Sequence, residues 1–473
     1  MKNTDAIWEI VDGKTPAYVA LSDEVWDVPE LSFQEKRAAE AHKRVLEVEG
    51  FRVKAGVAGI PTALCGEAGT GGPVIAILGE FDALPGLSQE AGTAVQVPLE
   101  HNGSGHGCGH NMLGSASLLA AAAVKEWLSA NRIEGTVRYY ACPAEEGGSA
   151  KGFMVRDGVF DEVDIAICWH PAPFTGVNTP FSLACVEIEF VFSGRASHAA
   201  AAPHLGRSAL DAVELMNVGV NYLREHMPPT ARVHYALIDG GGLAPNVVQA
   251  RAVVRHLIRA ATLSEMWSLV DRVRKIAQGA ALMTETQVTE RQLAGDANLV
   301  GNEVLEKAMD AAMHRLGPVR FDDADKAFAT KIQQTLTREH IVASYHRFGL
   351  KPKLDEPLSE EIYPLGAGSQ DAVGSTDVGT VSWVVPTVQC RVACYAVGTP
   401  GHSWQLVAQG KSPAAHKGMI HAAKIMAATA VDLLTDTALI RSAKAEHSAY
   451  RSENDFANPI GPDVVLDLNI AVQ

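Results

Sequence analysis

No run of residues in this chain is long and apolar enough to cross a bilayer. The longest greasy stretch, LLAAAAV at 118–124, is far short of the roughly 20 residues a membrane helix needs. The opening MKNTDAIWEIVDGKTPAYVA lacks the basic segment and apolar stretch of a secretory leader, so a cytoplasmic protein without membrane association is expected. Positive charge is in deficit: 40 Lys and Arg against 55 Asp and Glu leave a net charge of -15. A nucleic-acid surface needs clustered Lys and Arg, so that class of partner is excluded, whereas a small anionic substrate needs only one or two local cations. Cysteine is sparse and odd in number, seven residues at 65, 108, 142, 168, 185, 390 and 394. Scattered through a long chain, they make no disulfide framework and read as reduced thiols, one of them available for function. Solenoid-type repeats and low-complexity tracts are also missing.

What is present is a globular composition, 47% apolar and 20% charged over 473 residues, enough for two well-packed domains. In the first third, PVIAILG (73–79), GTVRYYAC (135–142) and VDIAICW (163–169) are short apolar runs without clean alternation, as for strands buried on both faces. The Ala-rich segment from Leu113 to Ala130 and KGFMVRDG, ending at Gly158, read as helices between them. This βα alternation predicts an α/β fold, a mostly parallel sheet with helices on both faces. Near residue 184 the pattern changes: ACVEIEFVFSG alternates, as does a strand with one wet face. A helix at 207–226, the strands ARVHYALIDGGG and QARAVVRHLIRA, a helix from Ser264 and ETQVTERQL follow. They suggest an open antiparallel sheet with two helices on one face. Helices at 302–316 and 324–339, a Gly/Ser/Asp-rich loop (366–380), the strand CRVACYAVG and a helix at 412–435 complete the chain. The expected organisation is one catalytic domain from 1–183 and 298–473, split by an α+β insert at 184–297.

Four segments at strand ends or helix starts carry metal-ligand residues: HGCGHN (106–111), CPAEEGG (142–148), WHPAP (169–173) and GTPGHSW (398–404). In open α/β sheets, loops at the carboxyl ends of strands converge on one crevice. Cys108 and His110 are two apart, so on an extended loop both side chains point the same way, and a following helix N-terminus favours the thiolate. A packed cysteine is the plainer alternative. Glu145 and Glu146, facing opposite ways on extended chain, suit a division between metal ligand and proton acceptor. His170 and His402 could each be ordinary loop histidines; alongside the other segments they read as ligands. Asp82 in GEFDALPG (79–86) could orient a ligating His or simply cap a turn. His106 stays outside the ligand set. In the insert, His198 (SGRASHAA), Asn246 (GGLAPNVV) and Arg259 form a weak group of the kind that holds a carboxylate and an oxyanion.

These motifs, with PELSFQE (29–35), GHGCGHNMLG, SGRASHAAAAP (193–203) and GSTDVG (374–379), make the sequence resemble the aminoacylase and glutamate-carboxypeptidase family of two-metal amidohydrolases. The resemblance spans almost the whole chain. It implies Cys108, His110, Glu146, His170 and His402 as ligands of two divalent ions, manganese or zinc, and Glu145 as general base. It implies that His198 crosses a dimer interface to the neighbouring active site, which makes the insert a dimerisation (lid) domain. Asn246 and Arg259 fall where the family grips a substrate carboxylate. The implied reaction is hydrolysis of an amide next to a free carboxylate, of the p-aminobenzoyl-glutamate type, or else of an N-acyl amino acid or dipeptide. A homodimer, or a heteromer with a related subunit, is the implied assembly. Two departures stand out: Glu80 occupies a position where other branches carry a His, and is not counted as a ligand, while Asn111 stands where many relatives have Asp. Two competing readings remain. One is a cysteine amidohydrolase with Cys108 as nucleophile, which leaves the Glu145–Glu146 pair without a task. The other is a non-catalytic partner subunit, against which the intact ligand set argues.

Overall fold

The computed structural model describes residues 6–178, 180–367 and 374–470. Its eleven strands, numbered in chain order, form two sheets among the described residues. The larger contains β1 (Arg52–Ala55), β2 (Leu64–Thr70), β3 (Val74–Glu80), β4 (Gly135–Cys142), β5 (Ile165–Ala172), β6 (Gly176–Val177) and β11 (Thr387–Ala393), in the order β1-β2-β4-β3-β5-β11-β6. Neighbours β4, β3, β5 and β11 run parallel, and the outer strands are antiparallel. The expected α/β class is the observed one. The central strands are apolar without alternation because both faces are covered. Helices Ile7–Trp26, His110–Asn131 and Pro413–Thr435 build the core on one side. On the other, helix Ala150–Arg156 and the chain around Ile460 pack on Ala76, Leu78, Tyr140 and Cys168.

The second sheet is antiparallel, in the order β10-β7-β9-β8, from β7 (Ala184–Ser193), β8 (Arg232–Asp239), β9 (Arg251–Ala260) and β10 (Gln287–Asp296). Helices Ala209–Leu223 and Leu263–Thr284 pack on it. Ser208 and Thr262 cap them, their side chains accepting from Asp211 N and Glu265 N. The polar face of β7 is not wet, contrary to the alternation argument. Glu189 is buried between Arg255 Nη2 (2.8 Å) and Arg291 Nη2 (2.9 Å). Cys185 and Glu187 turn to an internal cavity, beside their register partners Arg259 and Leu257. Period-two alternation marks a polar face but cannot say whether water or protein lies against it.

Three further expectations change. The segment 324–339 is two helices, Asp323–Gln333 and Arg338–Arg347, because Thr337 and His340 form a capping box that starts the second. β11 starts and ends earlier than CRVACYAVG, so His402 lies in irregular chain beyond it. The end of the 366–380 loop is a short helix, Val378–Ser382, and its residues 368–373 lie outside the described ones.

Helix His110–Asn131 lies hard against β3 because Gly114 has no side chain. A Cβ there would sit 2.6 Å from the Glu80 carbonyl oxygen and 2.8 Å from His42 Cε1. Residues four apart share a helix face, so the same approach sets His110 against the end of β3. Gly114→Val must therefore push helix and strand apart. Overpacking of this kind costs about 1–3 kcal/mol, and a lowered midpoint in thermal unfolding is expected; an unchanged midpoint would show that the contact yields freely.

Candidate metal centre and active-site cavity

Asp82 follows β3 and is completely buried, with both carboxylate oxygens engaged. Oδ1 accepts from His110 Nδ1 at 2.8 Å, and Oδ2 accepts from the backbone N–H of Glu146 at 2.9 Å. The first bond directs the remaining ring nitrogen of His110 into the site. The second fixes the turn after β4. A second buried carboxylate, Glu35, holds that turn from the other side: it accepts from Ala144 N (2.9 Å) and Phe33 N (2.8 Å), while burial pushes it up to about 8. Ala144 is held at φ 54°, a left-handed conformation for a residue with a side chain.

Glu145 and Glu146 are therefore in a turn, not on extended chain, and both carboxylates face one centre. Glu145 Oε2 and Glu146 Oε1 each lie 4.0 Å from His110 Nε2. Their environments separate them instead. Glu146 Oε2 is 3.3 Å from His402 Nε2, whereas Glu145 groups with Glu80 and His110. Cys108 and His110 likewise converge by a turn: Gly109 between them is left-handed at φ 80°, and His110 opens the helix. His170 lies within β5, not after it; its Nδ1 faces Pro171 O at 2.8 Å, so its Nε2 is free to meet Cys108 Sγ at 3.3 Å. Burial and the charge of Arg391 hold His170 well below the usual imidazole range, in the neutral, ligating form.

Two triads thus share one thiol: Cys108, His110 and His170, and Cys108, Glu146 and His402, the potential ligand atoms of each within 4.8 Å of one another. The donor set, one thiolate, one carboxylate and three imidazoles, suits divalent cations. His110 Nε2 and Glu146 Oε1 are buried without a hydrogen-bond partner at the centre of this set, and a buried polar atom left unpaired is costly. The residues fit two cations. Cys108 and His170 also form the thiol–imidazole pair a cysteine nucleophile would need, but that use leaves these unpaired atoms unexplained.

Cys108, Glu145, Glu146, His170 and His402 line a cavity of about 610 Å³, to which the antiparallel sheet contributes Cys185, Glu187 and Leu257. Arg259 lines it too, with its Nε buried and unpartnered. His198 and Asn246 are not in it. They sit together on exposed loops of the insert, where Ala199 N donates to Asn246 O at 3.0 Å and Ala200 N and Ala201 N donate to His198 Nδ1. His106 is buried against Val25 O, and Asn111 donates to Ser22 Oγ and Gly410 O, so both support the loop from beneath.

Sequence reasoning missed Lys151. It is fully buried, and its Nζ donates to Glu80 Oε1 (2.7 Å) and Asp377 Oδ1 (2.6 Å). Its backbone N–H also donates to Asp377 Oδ2. The Glu80 charge is thereby compensated beside the candidate ligands, and Asp377 is buried on the other side of the ammonium group. A lone Lys at a helix start carries no sequence signal for this role.

Peptidase family M20/M25/M40 matches residues 76–346 of the sequence. One of the subunits of the p-aminobenzoyl-glutamate hydrolase of Escherichia coli (strain K12) is 46% identical over 467 residues, 96% of this chain and 97% of that one. The chain belongs to this family. Membership of the M20 family makes it a metal-dependent hydrolase of amide bonds. The Xaa-Arg dipeptidase of Mus musculus is 28% identical over 95% of this chain and 93% of its own. A dinuclear metal binding peptidase of the M20 family from Bacillus subtilis shares the fold, with a TM-score of 0.54, 19% identity, and coverage of 89% of this chain and 99% of that one.

Without metal, hydrogen bonds with Cys108 and Glu146 push His402 up to about 10. Burial opposes the His110 cation, but the charges of Cys108 and Asp82 outweigh it and raise His110 well above its usual value. Both hold protons near neutrality that a cation must displace, so metal uptake should release protons and affinity should rise with pH. Calorimetric titrations in buffers of different ionisation enthalpy measure this, and uptake without proton release would remove His402 from the ligand set. Lys151→Met should lower stability by about 3–5 kcal/mol, since it strands two buried carboxylates; denaturant unfolding that matches the wild type would contradict the pairing.

Proposed function

We propose that this protein hydrolyses p-aminobenzoyl-glutamate to p-aminobenzoate and glutamate. The observation that carries the reading is Glu145 beside two cation triads, in a cavity that also presents Arg259. About 610 Å³ suits a small amide rather than a folded protein. Cys108, His110, Glu146, His170 and His402 would hold two divalent ions, zinc favoured by the thiolate and manganese equally served by the imidazoles and carboxylate. Bound there, such ions supply a Lewis acid for the amide carbonyl and acidify a water.

Glu145 takes the proton of the attacking water. Burial and the charges of Glu80 and Glu146 raise it well above the carboxylate range, the direction a proton acceptor working near neutrality needs. It then returns the proton to the leaving amine. Asp82 keeps His110 in its ligating tautomer. Arg259 pairs with the substrate carboxylate. His198 of the partner subunit completes the oxyanion site, and Asn246 of the partner subunit travels with it. An obligate partner accords with the exposed apolar side chains of the edge strand β8, Tyr235, Leu237 and Ile238. A homodimer arranged through the 184–297 insert, around a catalytic domain of 1–183 and 298–473, is the assembly proposed. A heteromer is the alternative, since the bacterial relative is named as one subunit of a hydrolase. Hydrolysis of an N-acyl amino acid or a dipeptide is the second substrate reading, suggested by the dipeptidase relative.

The test is release of glutamate from p-aminobenzoyl-glutamate by the purified chain, stripped of metal and refilled with manganese or zinc. Activity that returns with metal is expected. Activity that survives chelation would transfer the role to Cys108, and a loaded chain inert alone would require a second subunit or another amide. Glu145→Ala should lose turnover by at least the roughly 10²–10⁴ that general acid–base catalysis supplies, with metal content retained; half-maximal activity would dismiss Glu145 as base.

A further inference from the structure

We propose that Arg391 and Arg347 form a second anion subsite, which takes the side-chain carboxylate of an N-acylated acidic amino acid. The proposal rests on the amidohydrolase reading and names its substrate class more narrowly. Arg391 is the register partner of His170 across β11 and β5. Neighbouring residues of parallel strands present their side chains to the same face, so Arg391 enters the cavity beside the metal cluster. Its Nε donates to Asn178 Oδ1 at 2.7 Å, which fixes the guanidinium plane and leaves its outer edge for a ligand. Arg347 is the last residue of helix Arg338–Arg347 and lines the same cavity. An aromatic cluster holds that helix in place: Phe174 packs on Tyr345 and Phe348 with ring centroids 4.8 and 5.2 Å apart, and Phe348 meets Tyr363 at 5.5 Å.

The charges are the telling feature. Burial disfavours the Arg391 cation, and the like charge of Arg347 disfavours it further. Among the described residues, neither guanidinium has a carboxylate partner, whereas ten other arginines of the chain do. Two cations lining one cavity repel each other, and an anion bound between them relieves that repulsion. Arg259, at the insert wall beside Cys185 and Asp296, is a separate cation. A planar guanidinium matches one carboxylate in bidentate fashion. An acylated glutamate carries two carboxylates, one for each cationic position. The break at Thr337, which starts a new helix, is what brings Arg347 to the cavity.

The experiment compares p-aminobenzoyl-glutamate with p-aminobenzoyl-glutamine, which keeps the α-carboxylate but carries a neutral, nearly isosteric side-chain amide, on the metal-loaded wild type, Arg391→Met and Arg347→Met. The wild type should prefer the glutamate substrate in kcat/KM by roughly tenfold to a hundredfold, the factor a charge-assisted pair carries. In either variant that ratio should collapse toward unity. Because the ratio is taken within one sample, partial misfolding does not imitate the effect, and the exposed Arg347 provides the variant least able to disturb the core. A wild type indifferent to the two substrates, or variants that keep the preference, would overturn the subsite. If the wild type hydrolyses neither amide, the activity reading fails and binding decides the subsite separately. Calorimetry should then find free glutamate bound more tightly than glutamine, with the difference lost in Arg347→Met; equal binding by the wild type would overturn it.

Discussion

A single buried carboxylate, Asp82, connects the strand, the helix and the turn that make the candidate metal centre. One oxygen orients His110 and the other anchors the Glu146 backbone, so the first turn of a helix and the turn after a neighbouring strand share one reference point. Removing water from a carboxylate is expensive unless its lone pairs are used, and here the cost is met by groups that the chemistry also needs. Glu35 performs a parallel task nearby in the same turn, at Ala144. Gly114 then permits the helix to come close enough for the Asp82 bond to form.

Charge is organised locally and not by the whole molecule. The chain is acidic overall, yet its cavity lining carries both an acidic cluster and three arginines. At the cluster, Glu80 is compensated by Lys151, and the remaining carboxylate and thiol ligands call for cations. Elsewhere in its lining, Arg259, Arg347 and Arg391 call for anions.

Several local patterns bring out the clustered residues through a geometry the structure does not have. Alternation on extended chain predicts that Cys108 and His110 converge, and they do so through a left-handed Gly109 instead. The same rule predicts that Glu145 and Glu146 diverge, whereas they face one centre from a turn held by Asp82 and Glu35. Alternation in β7 predicts contact with solvent, yet Glu189 is enclosed by two arginines. In each case the sequence pattern reports residue chemistry and period, while the direction of a side chain in a turn depends on hydrogen bonds from distant segments.

The parallel core strands, the antiparallel second sheet, and the donor-bearing residues clustered near the strand ends follow from the sequence alone. Apolar period and turn residues are short-range properties, and the motifs carry the donor atoms in consecutive positions. Tertiary structure alone decided that Lys151 is buried between Glu80 and Asp377, that Arg347 and Arg391 line one cavity without an acid partner, and that His198 and Asn246 lie outside their own chain's cavity. Each of those facts joins residues tens to hundreds of positions apart. Such a contact costs conformational entropy and is formed only when the packed core brings the segments together, so no window of sequence contains it.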